Sequence, residues 1–411
     1  MIDVAIMGHG VVGSGVAEVL LKNAEHISEK AKTSINIKKI LDLREFPGLT
    51  YSDKFTKDFN EILDDPDIRV VAEVMGGLHP AYEFTKALLE SGKSVVSSNK
   101  ELVAEKGDEL LRIAEEKNVN YLFEASVGGG IPVLRPIAQC LAANGLYEVQ
   151  GILNGTTNFI MTKMVSDGEP FEEVLAEAQR LGYAEKDPTA DVEGHDACRK
   201  ICILAALAFG KHVYPKDVYT EGITKITSAD IQYADFAGCV IKLIGRARMA
   251  DNGKCSVTVY PAFVPKKNQL AHVEDVFNAV MVRGDAVGDV MFYGRGAGKL
   301  PTASAVVADI IDAVKHLSAR KYLSWAPAED GYVSDHTEDT VRLYVRVKAD
   351  KCRDCLRAKA EELFGELQLL GRNGEAGDEL AFITPFASEK QLMAQLAKLN
   401  GTVLSTIRLL D

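Results

Sequence analysis

The chain has 411 residues, with 47 Lys plus Arg against 59 Asp plus Glu and a formal net charge of −12. Hydrophobic residues make up 47% and charged residues 26%, which excludes a disordered or fibrous chain and gives a globular protein long enough for two or three domains. The acidic balance argues against a general affinity for nucleic acid or anionic lipid, so the expected partner is a small molecule, with no nucleic acid and no membrane.

The N-terminus, MIDVAIMGHG, has no basic region ahead of a long apolar run, and no later segment stays uncharged long enough to cross a bilayer, so a cytoplasmic protein is expected. DVAIM reads as a strand, VVGSGVAEVLLKNA as a helix with Val12, Val16, Val19 and Leu20 on one face, and INIKKILD as a second strand. RVVAEVM is a third strand, followed by a helix that Pro80 opens and Gly92 closes. KSVVSS, a helix over 101–117 and NYLFEAS continue the pattern. Alternating strands and helices predict an α/β fold with a Rossmann-type, doubly wound parallel sheet.

In that setting Gly8, Gly10 and Gly13 form G-x-G-x-x-G between the first strand and first helix. The first two glycines permit the tight turn and close approach of a pyrophosphate, and the third lets helix and strand pack. With Val11 and Val12 they point to a dinucleotide cofactor. Asp42 ends the second strand, where a carboxylate accepts hydrogen bonds from ribose hydroxyls and favours NAD over NADP, a preference that Arg44 weakens. Ligands of open parallel sheets sit beyond the carboxyl ends of strands, which draws Gly76, Ser98 and Lys100 (in SSNKE) into the expected cofactor set. EASVGGGIPV turns sharply and exposes carbonyls, suiting either a cation held by backbone oxygens or an interdomain hinge.

From about residue 131 the pattern changes. LYEVQGILNGTTNFIMTKM offers a strand and then an Asn-Gly-Thr-Thr turn, where Gly155 and Thr156 can face a substrate carboxylate or simply precede a helix cap. In AEKDPTADVEGHDACRK, Glu185, Asp187 and Asp191 fill a loop before a helix starting near His195 or Asp196. Asp196 and Lys200 are four apart and share one face of that helix. Such a pair is usually a surface ion pair of small weight, but ICILAALAFG follows, apolar nearly all round, so the first turn lies near the interior. A lysine there can protonate a developing alkoxide during hydride transfer, an aspartate can orient it, and acids can hold an α-ammonium group. His195 reads as a local hydrogen-bonding residue.

Seven scattered cysteines, an odd number, read as reduced thiols. Cys352 and Cys355 have Cys-x-x-Cys spacing but no second pair or nearby His, so they read as two incidental thiols rather than a zinc site.

Together GILNGTTNFIMTKM, AEKDPTADVEGHDACRK, SSNKE, EASVGGGIPV and YGRGAGKLPTASAVVADI resemble homoserine dehydrogenase, over most of the first 310 residues. The resemblance implies NAD(P)H-dependent reduction of L-aspartate 4-semialdehyde to L-homoserine, on the route to threonine, methionine and isoleucine, and a homodimer. It makes Lys200 the catalytic proton donor, Asp196 its essential neighbour, Lys100 the lysine between cofactor and substrate, Glu185 the substrate-binding carboxylate and Asp191 a further acid of that motif. Glu124, Val127, Gly129 and Ile131 match a monovalent cation site, such as one for Na⁺, formed mainly by backbone carbonyls. Gly296 and Pro301 match a glycine-rich turn near the cofactor.

The expected domains are 1–130 for the dinucleotide, completed by about 296–322, then 131–295 for catalysis and dimerisation, and 336–411 as a C-terminal ACT-like domain. That last segment reads ADKCRDCL where the family has Asp-x-Pro-Gly, which argues against threonine feedback through it and leaves a role in dimer contacts. With no kinase-like segment before residue 1, a monofunctional enzyme is expected. Two alternatives stay open on the residues alone: a dehydrogenase of another amino-acid semialdehyde, and a non-catalytic sensor of a dinucleotide and an amino acid.

Overall fold

The computed structural model describes residues 1–321 and 323–410, and the chain divides into two units, each assembled from three stretches. The first comprises Met1–Val149, Cys202–Asp217 and Val280–Asp330; the second comprises Gln150–Ile201, Val218–Ala279 and Gly331–Asp411. Among the described residues, no helix is long and apolar enough to cross a membrane.

The first unit holds a six-stranded sheet of β1 (Ile2–Met7), β2 (Ile35–Leu41), β3 (Phe55–Thr56), β4 (Ile68–Glu73), β5 (Ser94–Ser97) and β6 (Tyr121–Leu122), in the order β3-β2-β1-β4-β5-β6. Every neighbouring pair is parallel. The strand sequences fit this. Val4–Met7, Val70–Ala72 and Val95–Val96 are continuous apolar runs with no accessible side chain, as a sheet covered on both faces requires. The helices Val11–Lys22 and Lys299–Lys315 cover one face, where Val16, Ala17 and Leu20 meet Ala303, Val306 and Ile310 over Val4, Ile6 and Val70. The order reverses beside β1, so the loop after β1 opens at the switch point of a doubly wound sheet.

Two elements differ from the sequence reading. The first helix stops at Lys22, and a second helix, Ala24–Ala31, follows and ends at Lys32 in the left-handed region at φ 58°. NYLFEAS gives only the two-residue β6 and then a tight turn at Glu124–Ser126, because the Glu124 N–H donates to the Asp309 carboxylate instead of a neighbouring strand.

In the second unit, Cys239–Met249 and Cys255–Pro265 form a long antiparallel ladder from Cys239↔Pro265 to Met249↔Cys255. Gly401–Leu409 pairs parallel with the second of these strands and antiparallel with Leu343–Ala349. Glu379–Ile383 and Gln368–Leu370 then complete this end of the sheet. With the helices Arg353–Phe364 and Glu389–Leu396, residues 343–409 follow a βαββαβ course whose strands lie in the order fourth, first, third, second. Both helices bury apolar residues, Leu356 and Ala360 from one and Leu392 and Leu396 from the other, against Val345, Val347 and Phe382 of the strands.

One sequence expectation is corrected here. Cys352 and Cys355 are bonded to each other and are not independent thiols. Cys352 caps the helix Arg353–Phe364, and one helical turn brings Cys355 to a Cα–Cα distance of 5.2 Å, within the normal range for a bridge. Of the other five cysteines, Cys140 is exposed and Cys198, Cys202, Cys239 and Cys255 are buried.

Candidate active site

The turn after β1 has the shape its glycines suggest. Gly8 adopts φ 96°, and a Cβ on Gly13 would stand 1.9 Å from the Gly8 carbonyl oxygen, so neither tolerates a side chain. Around Gly10 there is open space, and this residue starts the helix Val11–Lys22 without a capping side chain. The helix N-terminus therefore presents backbone N–H groups beside an open glycine, a cradle for a pyrophosphate. Val11 is exposed, and Val12 packs against the core.

Asp42 lies just past β2. Its carboxylate accepts from the His9 N–H at 2.8 Å and is gripped by Arg44 through Nε at 2.9 Å and Nη2 at 2.8 Å. That guanidinium holds the Asp42 carboxyl well below the usual carboxylate range, against the opposing effect of burial. Asp42, Arg44, Phe46, Phe55 and Lys57 line a recess of about 310 Å³ beside the glycine turn. Sequence reasoning passed over His9, the variable residue inside GHG. It is buried, its Nε2 lies 3.2 Å from the Tyr51 hydroxyl, and its ring meets Phe46 and Phe55 edge-on. The dinucleotide fits these residues: glycines where the backbone must be bare, an uncapped helix start, and a carboxylate at the end of β2.

At the carboxyl ends of β4 and β5, the buried Glu73 organises the chain. It accepts from Ser97 Oγ at 2.7 Å and Met75 N at 3.0 Å, while its backbone carbonyl takes the Ser98 N–H at 3.2 Å. Burial pushes the Glu73 carboxyl up. Asn99 caps the helix Lys100–Glu116 and donates to the Gly77 carbonyl at 2.6 Å. These bonds gather Gly76, Ser98 and Lys100 at one end of the sheet. Glu73 had no signal beyond an acid closing an apolar strand.

The EASVGGGIPV segment is pinned from both ends. Glu124 accepts from the N–H groups of Val133, Leu134 and Arg135 at 2.6, 2.8 and 2.8 Å, so its carboxylate is spent on the backbone. Asp309 takes the Glu124 N–H at 2.8 Å and Arg135 Nη2 at 2.5 Å. Its burial pushes the carboxyl up to about 7, with Arg135 opposing. A Cβ on Gly129 would stand 2.2 Å from the Gly296 carbonyl oxygen, and Gly130 N–H donates to the Arg295 carbonyl at 3.1 Å. The two glycine-rich turns thus lie against each other. The Glu124 carboxylate is thus engaged by backbone N–H groups; among the described residues no cluster of three His, Cys, Asp or Glu side chains is arranged for a metal.

In the second unit, the helix His195–Phe209 begins with Asp196 and Lys200 facing inward, 3% and 7% exposed. Lys200 Nζ donates to Asp196 Oδ2 at 2.8 Å and to the Leu153 carbonyl at 2.7 Å. Asn154 joins them. Its Nδ2 donates to Asp191 Oδ1 at 2.7 Å and Asp196 Oδ2 at 2.8 Å, while its Oδ1 caps the helix Gly155–Ser166 through Thr157 N. Lys200, Asp196 and Asp191 are therefore one network bridged by Asn154, an asparagine legible from sequence only as the first residue of a turn. A Cβ on Gly155 would stand 2.7 Å from the Val276 carbonyl oxygen, and Thr156 Oγ1 donates to the Tyr183 carbonyl at 2.6 Å. Glu185 is exposed, apart from this network, its backbone carbonyl accepting from Gln179 at 3.0 Å. His195 is exposed at the helix start.

A buried lysine was missed. Lys242 Nζ donates to Asn158 Oδ1 at 3.0 Å and the Val273 carbonyl at 2.7 Å, and burial lowers its pKa to about 8.

The chain resembles known proteins over most of its length. Residues 8–124 match the family model "Homoserine dehydrogenase, NAD binding domain" and residues 132–311 the model "Homoserine dehydrogenase". A homoserine dehydrogenase of Pseudomonas aeruginosa is 46% identical over 319 residues, 77% of this chain and 73% of that protein. One of Bacillus subtilis is 44% identical, again over 77% and 73%. The crystal structure of a homoserine dehydrogenase from Thiobacillus denitrificans superposes with a TM-score of 0.89 at 36% identity, covering 100% of this chain and 98% of that one. A hyperthermophilic archaeal homoserine dehydrogenase mutant, in complex with NADPH, matches 76% of this chain and 97% of its own with a TM-score of 0.64 at 26% identity.

Proposed function

The chain belongs to the homoserine dehydrogenase family, and on that premise we propose that it reduces L-aspartate 4-semialdehyde to L-homoserine, reversibly, with Lys200 as the proton donor. The observation that carries the role of Lys200 is its hydrogen bonding: a buried ammonium held by the Asp196 carboxylate and the Leu153 carbonyl at the first turn of its helix. Reduction adds a hydride to the carbonyl carbon and a proton to its oxygen. NADH or NADPH supplies the hydride when bound. Lys200 donates the proton at Nζ as negative charge develops on that oxygen, and Asp196 holds the ammonium in place throughout. Asn154 ties Asp196 to Asp191, so the acid that faces a substrate ammonium and the acid that orients the lysine are set by one side chain. Gly155 and Thr156 start a helix whose N-terminus suits the substrate carboxylate, and Glu185 and Lys100 complete the substrate contacts.

For the cofactor, Gly8, Gly10, Val11, Val12 and Gly13 receive the pyrophosphate, Asp42 and Arg44 the adenosine ribose, and Gly76, Ser98, Lys100 and Gly296 the remainder. The Asp42 carboxylate favours NAD modestly. Arg44 is the group able to receive a 2′-phosphate if released from Asp42. Carbonyls of Glu124, Val127, Gly129 and Ile131 are the donors for a monovalent cation. The βαββαβ course of residues 343–409 supports a C-terminal ACT-like domain over 336–411, following dinucleotide and catalytic domains over 1–130 and 131–295. The protein acts as a cytoplasmic homodimer.

An absorbance assay of NADH and NADPH oxidation with L-aspartate 4-semialdehyde tests this reading, with L-threonine in one series. Semialdehyde-dependent oxidation is expected, faster with NADH and insensitive to threonine. No oxidation with either cofactor, from folded protein that still binds a dinucleotide, would overturn it.

A further inference from the structure

The sequence ADKCRDCL meets the fold at a specific place. Strand Leu343–Ala349 ends, and Cys352 becomes the cap of the helix Arg353–Phe364, with Cys355 in its first turn. Both cysteines are exposed, whereas four of the remaining five are buried. Their Cα atoms are 5.2 Å apart and the sulfurs are bonded. The Cys355 N–H points at Cys352 Sγ from 3.2 Å, so a thiolate on Cys352 would receive a backbone hydrogen bond at the positive end of a twelve-residue helix. Lys351 and Arg353 flank it in sequence. Among the described residues, no backbone N–H is directed at the sulfur of Cys355, inside the turn.

We propose that Cys352 and Cys355 are a reversible dithiol–disulfide couple, an exchange site for small or protein disulfides, with Cys352 as the attacking sulfur. In the oxidising direction the Cys352 thiolate attacks a disulfide RS–SR, forming a mixed disulfide and expelling one RS⁻. The Cys355 thiolate then attacks the Cys352 sulfur and expels the second RS⁻. Two electrons pass to the external disulfide, which leaves as two thiols, and reduction is the reverse. The fold gives the exchange a local consequence. Closing the ring fixes the first turn of a helix that buries Leu356 and Ala360 in the C-terminal core.

The test uses the full chain, equilibrated at a series of reduced-to-oxidised glutathione ratios. It is then quenched, alkylated and digested so that 352–355 stays in one peptide. The peptide is expected to pass from two alkyl groups to none, with the ratio dependence of a two-electron transfer. Two alkyl groups at every ratio, or two stable glutathione adducts, would overturn the couple. The single variants Cys355→Ser and Cys352→Ser test the assignment of sulfurs. At neutral pH the lone Cys352 is expected to alkylate about tenfold faster than the lone Cys355, and equal rates would reverse that part of the proposal. Serine keeps an oxygen at the helix cap, so neither variant depends on a lost cap.

Discussion

Asp196 in one unit and Asp309 in the other are 3% and 2% exposed, and each meets a cation, yet the two surroundings differ in kind. The partner of Asp196 is Lys200, four residues away on the same helix, whose ammonium carries three rotatable donors and can give up a proton. The partner of Asp309 is Arg135, a planar guanidinium that keeps its charge at any physiological pH, and the carboxylate's second contact is a backbone N–H 185 residues distant in sequence. One arrangement is suited to moving a proton. The other is suited to holding the Glu124 segment and the Lys299–Lys315 helix together. A buried acid beside a base therefore says little until the base is known to be able to let go.

Perturbing each side separately sharpens the contrast. The largest effect is expected from Lys200→Ala, which should lower kcat by roughly 10²–10⁴-fold while leaving dinucleotide affinity, read by fluorescence titration, nearly unchanged. Loss of cofactor binding in that variant would place Lys200 in the wrong role. Asp309→Asn should act in the opposite sense, costing about 1–3 kcal/mol in denaturant unfolding with far less change in kcat.

The same variant has a pH signature. The Asp309 carboxyl rises from 3.8 to about 7 on folding, so its stabilising contribution is complete below the lower value and fades as pH climbs through the upper one. Unfolding free energy of the parent should fall relative to Asp309→Asn between about pH 4 and 7, and parallel curves would contradict the assignment. Asn154→Ala removes both a helix cap and the bridge between Asp191 and Asp196; about 1 kcal/mol of stability should go, with a larger proportional loss in kcat. The mildest change is expected from Asp42→Asn, a few-fold shift in the NADPH-to-NADH ratio of kcat/KM as Arg44 is loosened. An unchanged ratio would detach cofactor choice from this pair.

Much of this was legible where the chain obeys short periods. The parallel sheet followed from apolar runs alternating with helices, the phosphate turn from three glycines in register, and the Asp196–Lys200 pair from a spacing of four ahead of an apolar helix. What stayed hidden is what depends on distant partners. Nothing near Asp309 in sequence says that it reaches Glu124, and nothing in GHG says that His9 turns inward to Phe46 and Phe55. Asn154 was visible as the first residue of a turn, but its capping and bridging roles need the helix that follows and residues 37 and 42 positions further on. The Cys352–Cys355 bond escaped for a different reason, since the same spacing serves loops and helix starts alike, and only a helix beginning at residue 353 brings the sulfurs together.

The helix Lys299–Lys315 has a meaning for the chain as it is made. Val4, Ile6, Val16 and Val70 wait for Ala303, Val306 and Ile310, which emerge long after β6 has been synthesised. At about 5–20 residues per second, that interval is on the order of 10–40 s on the ribosome. Throughout it, the nascent N-terminal sheet lacks part of the layer that covers one of its faces. A ribosome-stalled fragment ending near residue 150 should bind chaperones and remain protease-sensitive, whereas one extended past residue 330 should acquire protection in a single step.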